Sequence, residues 1–213
     1  MNRSRLGVVT GLRAEANWLK QAGFMVMVGG GTPDGARVAA QALVDHGAEA
    51  LLSFGLAGGL QPGLPAGTML IPSTVITPTE THGCDPGLVA FLGGETSHAL
   101  LAGENIVATI ADKTRLYQLY QASAIDLESG AVADIAVRNA LPFAVLRAIA
   151  DPAERTLPPA ALVALKADGR LDLRRLMGSI LSQPGQIPGL MKVGQDAKAA
   201  RRSLLERLKM IGA

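Results

Sequence analysis

At 213 residues the chain can bury a full core, as one large domain or two small ones, without disulfide or metal staples. Hydrophobic residues make up 48% and charged residues 18%, a balance that excludes a disordered chain. The net charge of +2 is too small to draw the protein to nucleic acid, and 3% aromatics leave little to stack on bases, so no nucleic-acid partner is expected.

Met1 to Gly7 carries two arginines but passes straight into an apolar strand, without the apolar region and cleavage site of a signal peptide. Leu6 to Val9 is that strand, and a helical pattern follows through Glu15, Trp18 and Leu19. Phe24 to Val28 is a second strand, ending in Gly29, Gly30 and Gly31. Gly35 to His46 reads as a helix that buries Val38, Ala39, Ala42 and Leu43. Ala50 to Phe54 is a fully apolar strand, and Gly55-Leu56-Ala57-Gly58-Gly59 reads as the turn after it. Further strands are expected at Thr68 to Ile71, Thr74 to Ile76, Ile106 to Ile110, Ser123 to Leu127 and Phe143 to Ile149, with a helix over Gly130 to Ala140. After Pro159 the pattern turns helical: Leu162 to Ala167, Leu171 to Leu181, a Pro/Gly-rich connector at 182–189, then Leu190 to Leu208.

Apolar strands alternating with helices imply a sheet covered on both faces, hence a central, mixed and largely parallel β-sheet in an α/β fold. The expected organisation is one α/β core over 1–158 with a helical C-terminal extension, 159–213, packed on it. No run is long and apolar enough to span a bilayer, and the lone Cys84 suits a reducing compartment, so a cytoplasmic location is expected. Cys84 itself reads as structural. The last helix carries Lys192, Lys198, Arg201, Arg202, Arg207 and Lys209 against Asp196 and Glu206. It reads as a solvated basic face, and such a face also suits peripheral contact with anionic lipid at the inner membrane surface.

In parallel sheets ligands gather beyond the carboxyl ends of the strands, and Glu15, Glu128 and Asp151 each follow a strand-like run. The Gly55 to Gly59 turn lets a backbone approach a ligand but fits neither the dinucleotide nor the P-loop pattern. Asp126 and Glu128 stand two apart at a strand end, so one is expected to face a ligand while the other caps a helix or meets solvent. Asp151 ends a strand before Pro152, an extended placement where burial can raise its pKa and make it a general acid. His46, His82 and His98 lack metal-ligand spacing, so no metal site is expected. His82 reads as a surface-loop histidine.

Taken together, four segments resemble the purine and uridine phosphorylase superfamily, its nucleosidase branch most of all. They are Gly7 to Glu15, the Gly55-Leu56-Ala57-Gly58-Gly59-Leu60 segment, Asp126-Leu127-Glu128-Ser129-Gly130-Ala131, and Pro142 to Asp151. The resemblance spans most of residues 6–152 and implies a nucleoside phosphorylase-like fold acting on a purine nucleoside. It implies that Asp151 protonates the leaving purine at N7 and that Glu128 holds the sugar hydroxyl. It also implies that Leu127 packs on the sugar, that Glu15 activates water, and that Ala57, Gly58, Ile106 and Val107 line the pocket. No metal or organic cofactor is implied. Phosphate as a co-substrate stays open, because Gly30, Gly31, Thr32 and Arg37 could cradle it. Leu56 and Ser53 depart from the phosphate-binding residues of the phosphorylases, which favours water. Such proteins are usually homo-oligomers. The short segment from Thr77 to Gly103 and the Gln183 to Leu190 stretch are most similar to the hopanoid-associated phosphorylases. That likeness implies an adenine nucleoside with a large apolar 5′ group, such as adenosylhopane.

Overall fold

The computed structural model describes residues 3–162 and 172–212. In chain order its elements are β1 (Leu6–Thr10), α1 (Arg13–Gln21), β2 (Met25–Val28), α2 (Pro33–Asp45), β3 (Ala50–Gly59), β4 (Met69–Leu70) and β5 (Pro72–Ile76). There follow β6 (Thr81–Gly83), α3 (Pro86–Leu92), β7 (Ser97–Ala102), α4 (Ile110–Tyr120), β8 (Ala124–Asp126), α5 (Ser129–Arg138) and β9 (Phe143–Asp151). The C-terminal helices are α6 (Pro159–Leu162), α7 (Leu173–Ser182) and α8 (Ile187–Gly212), with a 3₁₀ turn at Pro184–Gln186.

The strands form one mixed sheet in the order β2-β1-β3-β8-β7-β5-β6, with β9 beside β3 and β4 beside β9. β3 is its hub. Residues 50–54 run parallel to β1, residues 51–58 run parallel to β9, and Gly58 and Gly59 pair antiparallel with β8. The segment expected as a turn, Gly55 to Gly59, is therefore the second half of a ten-residue strand. Small residues suit it because the site crowds in here: a Cβ on Gly55 would stand 2.8 Å from Nη1 of Arg147 and 3.2 Å from Oε2 of Glu15. Its φ of 148° also falls in the region that favours glycine.

Both faces of the sheet are covered, which is why its central strands carry no polar alternation. On one face α2 and α5 pack Leu43, Val132 and Ile135 against Val9, Leu51 and Val145. On the other, α1, α3 and α8 bring Leu19, Leu88 and Leu204 onto Phe54 and Leu146. A smaller cluster seats α4 on β7 and β8 through Leu101 and Ile125. α8 buries Ala200, Leu204 and Leu208, a four-residue spacing that aligns them on one stripe. Removing the two leucines from water contributes roughly 3–6 kcal/mol before ordering costs.

Four expectations need correction. Ile106 to Ile110 is not a strand: Thr109 accepts a hydrogen bond from the Asp112 amide (3.1 Å) and starts α4 at Ile110. Strand β7 and helix α3 sit inside the short segment from Thr77 to Gly103, where neither was expected, and β7 carries the sheet across to β5. Val38 is 71% exposed rather than buried. The basic face of α8 is not wholly solvated: Lys192, Lys198, Arg202 and Lys209 are exposed, but Arg201 and Arg207 are half-buried. Of the expected helix Leu162 to Ala167 only Leu162, the end of α6, lies within the described residues. No helix among the described residues is long and apolar enough to cross a membrane.

Candidate active site

Arg147, on β9, is the centre of a buried polar cluster. Its Nη2 donates to Oγ of Ser53 (2.7 Å) and to Oε2 of Glu128 (3.1 Å), and stands 2.7 Å from Oδ2 of Asp126. Its Nη1 donates to the Leu56 carbonyl oxygen (3.3 Å). Ser129 donates to Asp126 Oδ2 (2.5 Å) and its hydroxyl shares a hydrogen bond with that of Ser53 (2.9 Å), tying β3 to the start of α5. Asp126 and Glu128 were expected to part, but residues two apart on a strand emerge on the same face, and both turn inward to Arg147. Asp126 also caps α5 through the Ser129 amide (3.2 Å), whereas the Glu128 carboxylate makes no cap bond. Oε1 of Glu128 instead accepts from the Gly31 amide (3.2 Å). Gly29 permits this, since a Cβ there would stand 2.9 Å from Oε1.

Glu15 approaches the same guanidinium from α1 and is 1% exposed. Thr10 donates to its Oε2 (2.5 Å), while Oε1 has no hydrogen-bond partner among the described residues. Burial pushes its pKa up from 4.5 to about 7, against the pull of the Thr10 hydroxyl and the Arg147 charge. Burial raises Glu128 as well, with Arg147 opposing. A charge imbalance adds to the effect of burial: three carboxyls, Glu15, Asp126 and Glu128, share one guanidinium, and in a dry site the surplus favours bound protons.

That surplus has a measurable consequence. Because the folded pKa of Glu15 lies above the unfolded one, the native state holds this proton more tightly. The resulting stability is full below pH 4.5, declines as pH rises towards 7, and is gone above it. Its size is about 3 kcal/mol. Urea titrations at pH 5 and pH 8 should show the parent losing more stability between these pH values than Glu15→Gln does. An equal loss in both proteins would show that Glu15 titrates normally.

Asp151 ends β9. Ala57 pairs with Ile149 but Gly58 with Asp151, so Ala150 is an extra residue, a β-bulge that re-aims Asp151 at the strand end. Lys113 of α4, wholly buried, donates to Asp151 Oδ2 (2.5 Å) and to the carbonyl oxygens of Pro152 (3.0 Å) and Arg155 (2.8 Å). All three ammonium donors are thereby used. Oδ1 of Asp151 is buried and has no partner among the described residues. Burial raises the Asp151 pKa, with the Lys113 hydrogen bond and charge pulling the other way.

Between these groups lies a cavity of about 310 Å³. Glu128, Leu127, Asp151, Ala57, Gly58, Ile106 and Val107 all line it, so the structure brings seven expected residues around one space. Glu15 is not on its surface; it stands behind Arg147 and Gly55. The phosphate cradle is not assembled here. Gly31 lines the cavity, but Thr32 caps α2 through the Gly35 amide (3.2 Å), and Arg37 pairs with Asp34 (2.9 Å) beside a different cavity. Cys84 is packed among core residues and its thiol is pushed up to about 12 by burial, which leaves it inert. Sequence reasoning gave no role to Arg147, Lys113 or Thr10. An arginine inside the apolar run of β9 was the available signal for the first, since a buried charge needs partners. Lys113, on the face of a helix not foreseen, left none.

The fold is of the nucleoside phosphorylase-like α/β kind. The family model of the phosphorylase superfamily matches residues 17–102. Among curated proteins no sequence is similar enough to count as a relative. Among solved structures, the chain is similar to the 5′-methylthioadenosine/S-adenosylhomocysteine nucleosidase of Helicobacter pylori in complex with an inhibitor. The identity is 14% over 99% of this chain and 98% of that one, at a TM-score of 0.73. S-adenosylhomocysteine nucleosidase from Streptococcus pyogenes, with 5-methylthiotubericidin, is similar over 98% of this chain and 97% of that one (15% identity, TM-score 0.68). A futalosine hydrolase mutant from Helicobacter pylori matches 68% of this chain and 88% of that one (16% identity, TM-score 0.60).

Proposed function

We propose that the protein is a nucleosidase-type enzyme that cleaves the N-glycosidic bond of an adenine nucleoside. The observation that carries this reading is that Asp151 and Glu128 both line one largely apolar cavity. A purine leaves poorly as an anion, so the bond breaks more easily when an acid delivers a proton to N7. Asp151 suits that role: its buried Oδ1 is free to carry the proton to N7, and burial raises its pKa against the pull of Lys113. The sugar becomes cationic as the base departs, and Glu128, oriented by Arg147 and Gly31, is placed to hold the 2′-hydroxyl and steady that charge. Leu127 packs on the sugar, and Ala57, Gly58, Ile106 and Val107 enclose the base. Glu15 is the candidate base for an attacking water, which must reach its unpartnered Oε1 past Arg147 and Gly55. Leu56 on the cavity wall and the Ser53 hydroxyl committed to Arg147 offer no cationic anchor for phosphate, which supports water as the nucleophile.

For the substrate, we favour an adenine nucleoside with a large apolar 5′ group, adenosylhopane in hopanoid synthesis, acting at the inner membrane surface. Support comes from the exposed rim and the C-terminal helices. Ile106 and Ile110 are 49% and 44% exposed, and Met177, Leu181 and Met191 project from α7 and α8 with exposed Arg174 and Lys192 nearby in sequence.

The test is a turnover assay with and without phosphate that reads out free adenine and the form of the sugar. The expected result is adenine release that does not need phosphate, with free ribose chemistry as product and slow turnover of methylthioadenosine. Fast turnover of methylthioadenosine would overturn the lipid substrate, and a ribose 1-phosphate product would overturn water.

A further inference from the structure

A second cavity, about 470 Å³, lies on the other side of Leu127 and is lined by a different set of side chains. His82 belongs to it. The histidine expected in a surface loop is on β6, paired with Val75 of β5, and only 6% exposed. Its Nε2 lies 3.2 Å from Oδ1 of Asp134 on α5 and 3.9 Å from Oε2 of Glu80. Nε2 nevertheless has no hydrogen-bond partner, so a buried ring nitrogen is aimed between two carboxylates without bonding to either. The three donor atoms lie within 4.8 Å of one another. Leaving such a nitrogen unpaired costs about 1–3 kcal/mol, so the arrangement calls for a further partner.

The donor set says what kind. One imidazole nitrogen and two carboxylate oxygens suit a borderline divalent ion such as zinc or manganese. In a tetrahedral site with bonds of about 2.1 Å, donor atoms stand about 3.4 Å apart, a value that the 3.2 and 3.9 Å separations from His82 Nε2 bracket. Sequence spacing could not reveal the group, because the turn before β6 supplies Glu80 while α5, far along the chain, supplies Asp134. We propose that Glu80, His82 and Asp134 form a binding site for one divalent metal ion of the zinc class. Three protein ligands leave a coordination position facing the 470 Å³ cavity, where a water or an oxygen ligand completes the sphere. The ion joins the β6 turn to α5, the helix that Asp126 caps and Glu128 directly precedes. It takes no part in the glycosidic step.

The experiment is calorimetric titration of the tag-free, chelator-treated protein with Zn²⁺ and Mn²⁺, together with Co²⁺ absorption spectra. The parent should take up one equivalent per chain, show cobalt bands in the visible, and melt at a higher temperature with the ion bound. Asp134→Asn and His82→Ala should each weaken binding at least tenfold and remove the bands. Because His82 is buried, the exposed Glu80→Gln is the variant least able to disturb folding, and it should weaken binding severalfold while melting normally without metal. Absence of a stoichiometric site in the parent, or equal affinity in parent and Glu80→Gln, overturns the proposal.

Discussion

Replacing Asp151 with Asn is expected to lower adenine release about 10³-fold, within the usual range for losing a general acid. The substitution keeps the size of the side chain and the cavity, so substrate binding should change far less than kcat. It carries a second consequence. Lys113 is wholly buried, and Asp151 is its charged partner at 2.5 Å. An uncompensated buried cation typically costs 3–5 kcal/mol, so Asp151→Asn should also melt earlier. Adding Lys113→Met should recover stability without recovering activity, and kinetics beside calorimetry on the single and double variants would show it. Full recovery of turnover in the double variant would mean that Asp151 serves only to neutralise Lys113.

The largest effect on folding is expected at Arg147. Arg147→Met leaves Glu15, Asp126 and Glu128 facing one another without a counter-charge, in a site all three reach while buried. A loss of about 3–5 kcal/mol follows at pH 8. The loss should shrink towards pH 5, where the raised pKa values of Glu15 and Glu128 allow protons to stand in for the missing cation. Arg147→Lys should be intermediate, because one ammonium cannot reproduce a planar fork that reaches Ser53, Asp126, Glu128 and the Leu56 carbonyl. Denaturant titrations at the two pH values measure both. A variant as stable as the parent at pH 8 would show that the carboxyls are already protonated there.

Much of the central sheet was legible before any coordinates because its strands are short, apolar and unbroken. Leu6 to Val9, Phe24 to Val28, Ala50 to Phe54 and Phe143 to Ile149 all lie within or against observed strands. The failures cluster where periodicity misleads. Ile106 to Ile110 looks like a strand by composition, but the capping hydroxyl of Thr109 decides the matter. The glycines after Phe54 read as a turn, although in a crowded centre glycine continues a strand where no side chain fits. Glu128 and Asp151 could be picked out because each follows a strand-like run, whereas Leu127, Ala57, Gly58, Ile106 and Val107 came only with the family resemblance. Arg147 and Lys113 act through contacts across the sheet, and such contacts depend on register, which residue order does not specify. His82 was misplaced for the same reason: three unremarkable positions meet only once β6 pairs with β5 and α5 packs beside them.

The bulge at Ala150 bears on how this protein can change over time. Facing along a strand has only two values, so one residue gained or lost in β9 inverts everything beyond it. Arg147 sits before the bulge and Asp151 after it. The relative facing of the Glu128 anchor and the candidate proton donor is thus set by a residue with nothing but a methyl group to offer. Substitutions at Ala150 should be tolerated far better than a deletion there. Drift in this strand is therefore confined to exchange of side chains at fixed length, and a homologue that is one residue shorter between these two positions has exchanged its chemistry for another.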